Sequence, residues 1–209
     1  MRATRLLTVV LGLTLLGGVS AYAEESGQAD QELAEQIRMA DNLPVEPDKF
    51  QSSPGRIGEP IPYTAYGKYP RRKGVILVTP DRYKHLIPTG HAGIILNATQ
   101  VVESIDIGVT RGNNDWYRSK GQAYGVTVRF TSGAQDGRAA DWANKQYGKP
   151  YNFNFLNKKT RKRFYCSQLV WASFKDNFNI DLDTAAWGPA IHPMELVTTS
   201  KTQLVWRKK

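Results

Sequence analysis

The chain has 209 residues, 41% of them hydrophobic, and a formal net charge of +9 with one cysteine. That length suits one domain with a proper core plus an extension and is cramped for two full domains. A single cysteine excludes an intramolecular disulfide, so Cys166 is either a buried small hydrophobe or a working thiol.

Charge is unevenly placed along the chain. Residues 24–59 carry nine acids against three bases, whereas residues 60–209 carry 23 Lys and Arg against ten Asp and Glu. The strongly basic part suits polyanionic surroundings such as phosphate-rich wall polymers or anionic lipid headgroups, or else simply keeps the protein soluble.

In chain order, Arg2 and Arg5 precede an apolar run over 6–19 that closes on Ala21-Tyr22-Ala23. A charged start, a short apolar stretch and an A-x-A site read as a secretory signal peptide cleaved after Ala23. Gly12, Gly17 and Gly18 interrupt a run already short of the roughly 20 apolar residues a spanning helix needs. Residues 26–42 place Leu33, Ile37 and Ala40 at helical spacing, with Ser26 or Asp30 as caps. Pro44, Pro47, Pro54, Pro60 and Pro62 then forbid regular structure, which predicts a linker or a strap laid over a domain that starts near Pro62.

Strands are predicted over 74–79 (GVILVT), 91–97 (HAGIILN), 100–105 (QVVESI), 124–130 (YGVTVRF) and 202–206 (TQLVW). The first four follow one another as an antiparallel sheet would. Helices are predicted over 134–147, with Ala139, Trp142, Ala143 and Tyr147 near helical spacing and Gly148 as the stop, and over 164–178. In the second, Cys166, Leu169, Val170, Ser173 and Phe174 share a face. The expected class is α+β, a helix packed on a small antiparallel sheet.

A thiol with an ordinary pKa near 8.5 needs help to act as a nucleophile at neutral pH. Cys166 falls in the first turn of its predicted helix, where free amide N–H groups and the dipole favour a thiolate, and Lys158, Lys159, Arg161, Lys162 and Arg163 add positive potential. The base must come from three histidines. His85 lies in a connection, His192 sits between Ile191 and Pro193 in an irregular segment, and His91 opens a strand after Gly90, beside the small pair Ala92 and Gly93. Glu103 interrupts the apolar run 101–105 on the next strand, where a hairpin would set it beside His91; a carboxylate there requires a partner. Asp106, nearer a turn, is the fallback. A metal site built from Cys166, His91 and His192 lacks close ligand spacing, and no cofactor is expected.

The strings GHAGIIL, VVES, GKPYNFNF and FYCSQLVWASF resemble the NlpC-type papain-like cysteine peptidases, in particular their circularly permuted YiiX/YebB-like branch. The order fits, since His91 and Glu103 precede Cys166. The resemblance spans 74–197. It implies a permuted papain-like fold in which the cysteine helix packs on a barrel-like sheet bearing His91 and Glu103. It also implies that Tyr151, after Pro150, lines the site and helps bind the oxyanion together with the Cys166 N–H. The chain departs from the commoner Asp-Cys-Ser-Gly pattern at Tyr165 and Gln168, which are therefore expected on the substrate-binding side.

The resulting expectation is a signal peptide over 1–23, an acidic helix and strap over 24–61, and a monomeric cysteine hydrolase domain over 62–209. The substrate would be an amide bond in peptidoglycan or peptides, with an anionic wall polymer or lipid surface as a further partner and no nucleic acid. An acyl-lipid hydrolase and a non-catalytic wall-binding module are the competing readings.

Overall fold

A computed structural model describes residues 18–48, 65–81, 90–184 and 186–209. The expected leader therefore lies mostly outside the described residues, as do His85 and the prolines at 54, 60 and 62.

The chain runs α1 (Gly18–Asn42), β1 (Ala65–Gly67), β2 (Ile76–Thr79), β3 (His91–Asn97), β4 (Gln100–Ile105), β5 (Gly108–Asn113), α2 (Trp116–Ser119), β6 (Ala123–Val128), α3 (Gly133–Asn144), α4 (Cys166–Phe178), α5 (Glu195–Thr198) and β7 (Thr202–Lys208). Among the described residues, seven strands form one antiparallel sheet in the order β1-β7-β6-β2-β3-β4-β5. β2, β3 and β4 follow the predicted succession, but β6 returns to pair with β2.

Both faces of this sheet are covered, which explains why its central strands read as continuous apolar runs rather than alternating ones. Ile76, Val78, Ala92, Ile94, Val102, Tyr124 and Val126 belong to a core shared with α3, α4 and α5. The intervening Val75, Leu77, Ile95 and Val101 join a second cluster closed by Tyr69, Trp116 and Trp206.

At the centre of the larger core lies α4, buried continuously from Cys166 to Phe174. Its last turn is closed by Asn179 in the left-handed region, φ 55°, whose N–H reaches the carbonyls of Phe174 and Lys175. α3 starts at a capping box in which Ser132 and Gln135 satisfy each other's backbone N–H groups.

α1 begins at Gly18 rather than at Ser26, so the expected cleavage point falls within it. Its C-terminal half is built into the domain: Leu33 and Ala40 enter the core, and Thr198 donates to Gln36 at 2.6 Å. Arg207 donates to the carbonyls of Ala40, Asp41 and Leu43, satisfying acceptors that a helix end leaves orphaned. Residues 43–48 continue as a strap along β7, with Glu46 N–H on Leu204 O at 2.8 Å. Arg72 ties that strap to α3, pairing at 2.8 Å with both Asp48 and the buried Asp136.

Candidate active site

Gly90 sets the start of β3. It holds φ +115°, and a Cβ there would come within 2.4 Å of Thr79 O, so the chain turns into the sheet only because this residue has no side chain. His91 then pairs with Thr79, and Gly93 with Glu103. His91 and Glu103 are thus diagonal neighbours, offset by two residues along one sheet face, rather than directly side by side. Their side chains still meet: His91 Nε2 and Glu103 Oε2 are 2.7 Å apart.

Glu103 reaches that position because β5 makes room for it. A Cβ on Gly112 would lie 1.9 Å from Glu103 Oε1. Gly112→Ala is expected to displace the carboxylate from His91 and to lower amide hydrolysis on the order of 10- to 100-fold. Circular dichroism should stay native, and an unchanged rate would show that the carboxylate needs no such seat.

Cys166 is the first residue of α4, fully buried, with a free thiol. The His91 imidazole is hydrogen-bonded to it as well as to Glu103. With Nε2 taken by Glu103, Nδ1 is the nitrogen left for the thiol. Burial by itself would pull the His91 pKa down, but the hydrogen bonds and charges of Cys166 and Glu103 outweigh it and hold it up at about 9. Trp116 lies against the same ring, centroid to centroid 5.6 Å and inclined 27°.

The approach to Cys166 is locked to the strand carrying Glu103. Ser104 Oγ donates to Phe164 O at 2.7 Å, and Asn152 N–H donates to the same carbonyl at 3.0 Å. This bridge lays Tyr151 alongside Phe164. The Tyr151 hydroxyl is buried with no hydrogen-bond partner among the described residues. Burial first, then its neighbour Cys166, push its phenol well above the usual range, so it stays protonated and able to donate.

Tyr165 and Gln168 are placed differently from expectation. The Tyr165 hydroxyl accepts from Ile191 N–H at 3.1 Å, and its ring packs on Phe155. Gln168 is wholly buried: its Oε1 accepts from Asn152 Nδ2 at 3.0 Å and Tyr165 N–H at 3.2 Å, and its Nε2 donates to Thr160 O at 3.0 Å and Lys158 O at 3.2 Å. Gln168 thus holds the loop before α4 against the helix start, and the Tyr165 hydroxyl holds the segment at Ile191.

The cationic approach is also smaller than composition suggests. Lys158 pairs with Asp183, and Arg161 with Asp176 at 2.6 Å. Lys159, Lys162 and Arg163 remain exposed.

His192 is buried beside the site. Its Nδ1 accepts from Met194 N–H at 3.1 Å, its ring stacks on Trp187 at 4.0 Å, and Ile191 before it accepts from Ser167 Oγ on the first turn of α4. Asp106 does not approach His91 as a hydrogen-bond partner; its Oδ1 accepts from Ile107 N–H. Among the described residues no three His, Cys, Asp or Glu side chains converge as metal ligands would.

Sequence reasoning missed Gly112, Trp116 and Ser104. The first two sit in a Gly/Asn-rich stretch that reads as turn, and Ser104 is one residue past the acid that drew attention.

A thiol at a helix start, hydrogen-bonded to an imidazole that a carboxylate holds from behind, is the arrangement of nucleophilic acyl transfer. On an antiparallel sheet whose histidine strand precedes the cysteine helix, it defines a permuted papain-like cysteine hydrolase. The chain belongs to that family: residues 80–202 match the permuted papain-like amidase enzyme family, YaeF/YiiX, C92 family.

It is 30% identical over 136 residues to the uncharacterized protein YycO of Bacillus subtilis (strain 168), covering 64% of this chain and 55% of that one. The chain thus spans about half the length of that relative. The crystal structure of the metalloprotein yiiX from Escherichia coli O157:H7 shares the fold, with a TM-score of 0.51 and 18% identity over 65% of this chain and 96% of that one.

Proposed function

We propose that this chain is an exported cysteine amidase that cleaves a peptide or amide bond, in peptidoglycan or peptides, with Cys166 as nucleophile, His91 as acid and base, and Glu103 orienting the imidazole. The observation that carries the reading is the continuous contact from the Cys166 thiol through His91 to Glu103 at 2.7 Å.

In the first half-reaction Sγ, its proton already held on His91, bonds to the amide carbonyl carbon. The carbonyl oxygen becomes an oxyanion that accepts from Tyr151 O–H and from the Cys166 backbone N–H, a donor with no partner inside its own helix. His91 gives the proton to the departing amine as the C–N bond breaks, leaving a thioester. Water, losing a proton to His91, then adds to the thioester; its collapse expels the sulfur, which regains the proton and releases a carboxylic acid. Tyr151→Phe removes one oxyanion donor and should lower kcat about 10²–10³-fold with KM little changed; an unchanged kcat would remove Tyr151 from the step.

Export is supported by the leader-like residues 1–23. The basic domain and export together favour a wall substrate over a cytoplasmic peptide. The mature product would be secreted or wall-associated, and its amino terminus, read by N-terminal sequencing of the secreted protein, should be Glu24. Incubation with muropeptides, and in parallel with a labelled phospholipid, tests the bond: new amine-bearing fragments by mass spectrometry are expected, and cleavage of the lipid ester alone would overturn the amidase reading.

A further inference from the structure

We propose that the loops beside the catalytic groups form a docking surface for an anionic phospholipid membrane. Singly exposed apolar side chains are ordinary on a protein surface. Here three lie at neighbouring loop tips: Ile107 is 77% exposed, Phe153 62% and Leu156 67%.

The two loops that carry them touch. Val109 N–H, at the foot of the β4–β5 turn, donates to Lys149 O at 2.8 Å, and a Cβ on Gly108 would stand 3.2 Å from Pro150 Cα. Phe153 packs its ring edge on Tyr151, 4.8 Å between centroids.

The larger loop is held from beneath by polar groups, so its apolar tips are preorganised. Asn157 N–H donates to Asn154 O at 3.0 Å, Asn152 Nδ2 to Asn157 O at 3.2 Å, and Gln168 Nε2 to Thr160 O at 3.0 Å.

Charge completes the surface. Residues 147–165 contain no acid. Lys158 and Arg161 are turned to Asp183 and Asp176, whereas Lys159, Lys162 and Arg163 are exposed on the loop that carries Leu156. The one acid in the smaller turn, Asp106, accepts from the N–H of Ile107.

A hydrated polyanion would reward the cations and leave the three apolar tips wet. A membrane interface rewards both, the headgroups meeting the lysines and the acyl boundary receiving Ile107, Phe153 and Leu156. Tyr151, packed against Phe153, would then stand with Cys166 at the membrane surface. The inference rests on where the site lies and not on the bond it cleaves.

The test uses the full chain carrying Cys166→Ala, so that docking is read without turnover and a failed amide assay stays a separate result. Sedimentation with phosphatidylglycerol-containing vesicles should show binding that weakens at high salt, with little binding to pure phosphatidylcholine. Ile107→Ser combined with Leu156→Ser is expected to lower vesicle affinity about tenfold, and Lys159→Gln and Lys162→Gln about fivefold each, with native circular dichroism in every variant. No binding to either vesicle would overturn the proposal. So would equal binding to both, or binding to purified anionic wall polymer in place of vesicles that the serine pair leaves unchanged.

Discussion

Cys166→Ala is expected to lower amide hydrolysis by a factor on the order of 10⁴–10⁶, and His91→Ala by a similar factor. In the proposed mechanism the thiol bonds the carbonyl carbon, and His91 is hydrogen-bonded to it. Because the two act as one unit, the double variant should be scarcely worse than either single one. The fold should survive: Cys166→Ala removes one buried sulfur from the start of α4, at a cost of about 1–2 kcal/mol. Initial rates on a cleavable amide, with circular dichroism as control, check this. A Cys166→Ala protein that retains more than a few per cent of activity would remove the thiol from the mechanism.

The second large effect is on pH dependence. His91 is held up at about 9, above its ordinary 6.5, by Cys166 and Glu103 against the opposing pull of burial. A folded-state pKa raised in this way favours the protonated ring. Its contribution to stability is therefore complete below about pH 6.5 and is lost as the pH rises through about 9. In the proposed mechanism the same proton is delivered to the leaving amine, so kcat/KM of the free enzyme should fall along an alkaline limb near pH 9.

Glu103→Gln removes one of the two groups that raise His91. The limb should move to lower pH, and the rate at neutral pH should fall on the order of 10²–10⁴-fold. A pH–rate profile of the two proteins decides it: a lowered rate with an unmoved limb would mean that Glu103 acts only through packing. The Gly112→Ala variant offers a comparison, since it displaces the carboxylate without neutralising it and should shift the limb in the same direction.

The legible parts of this molecule share a physical cause. β3 and β4 coincide with the predicted 91–97 and 100–105 because buried β-branched runs bounded by Gly and Asn-Ala-Thr leave no other local solution. α4 was legible from its apolar face, whereas Asn179, which ends it, was not singled out. β5 (GVTRGN) was not, because it alternates exposed polar residues with glycines and owes its extended form to pairing with β4. α2 and α5 are single turns whose boundaries depend on Tyr69, His192 and Glu195, residues distant or irregular in sequence.

In the site, the isolation of Cys166 and the position of Glu103 inside an apolar strand singled out the thiol and the acid, and strand order suggested His91. Composition, periodicity and the cost of burying an unpaired charge made these residues candidates, and the resemblance to the permuted papain-like family favoured His91 over the other histidines. The diagonal offset between His91 and Glu103, the space over Gly112, the Trp116 ring against the imidazole, and the inward commitment of Tyr165 and Gln168 depend on register and on contacts between segments far apart in the chain. Sequence by itself determined which groups are chemically capable, since that is a property of residue types and their local period. Only the tertiary structure decided which of them meet, because a shift of one residue in strand pairing would send Glu103 to the opposite face of the sheet.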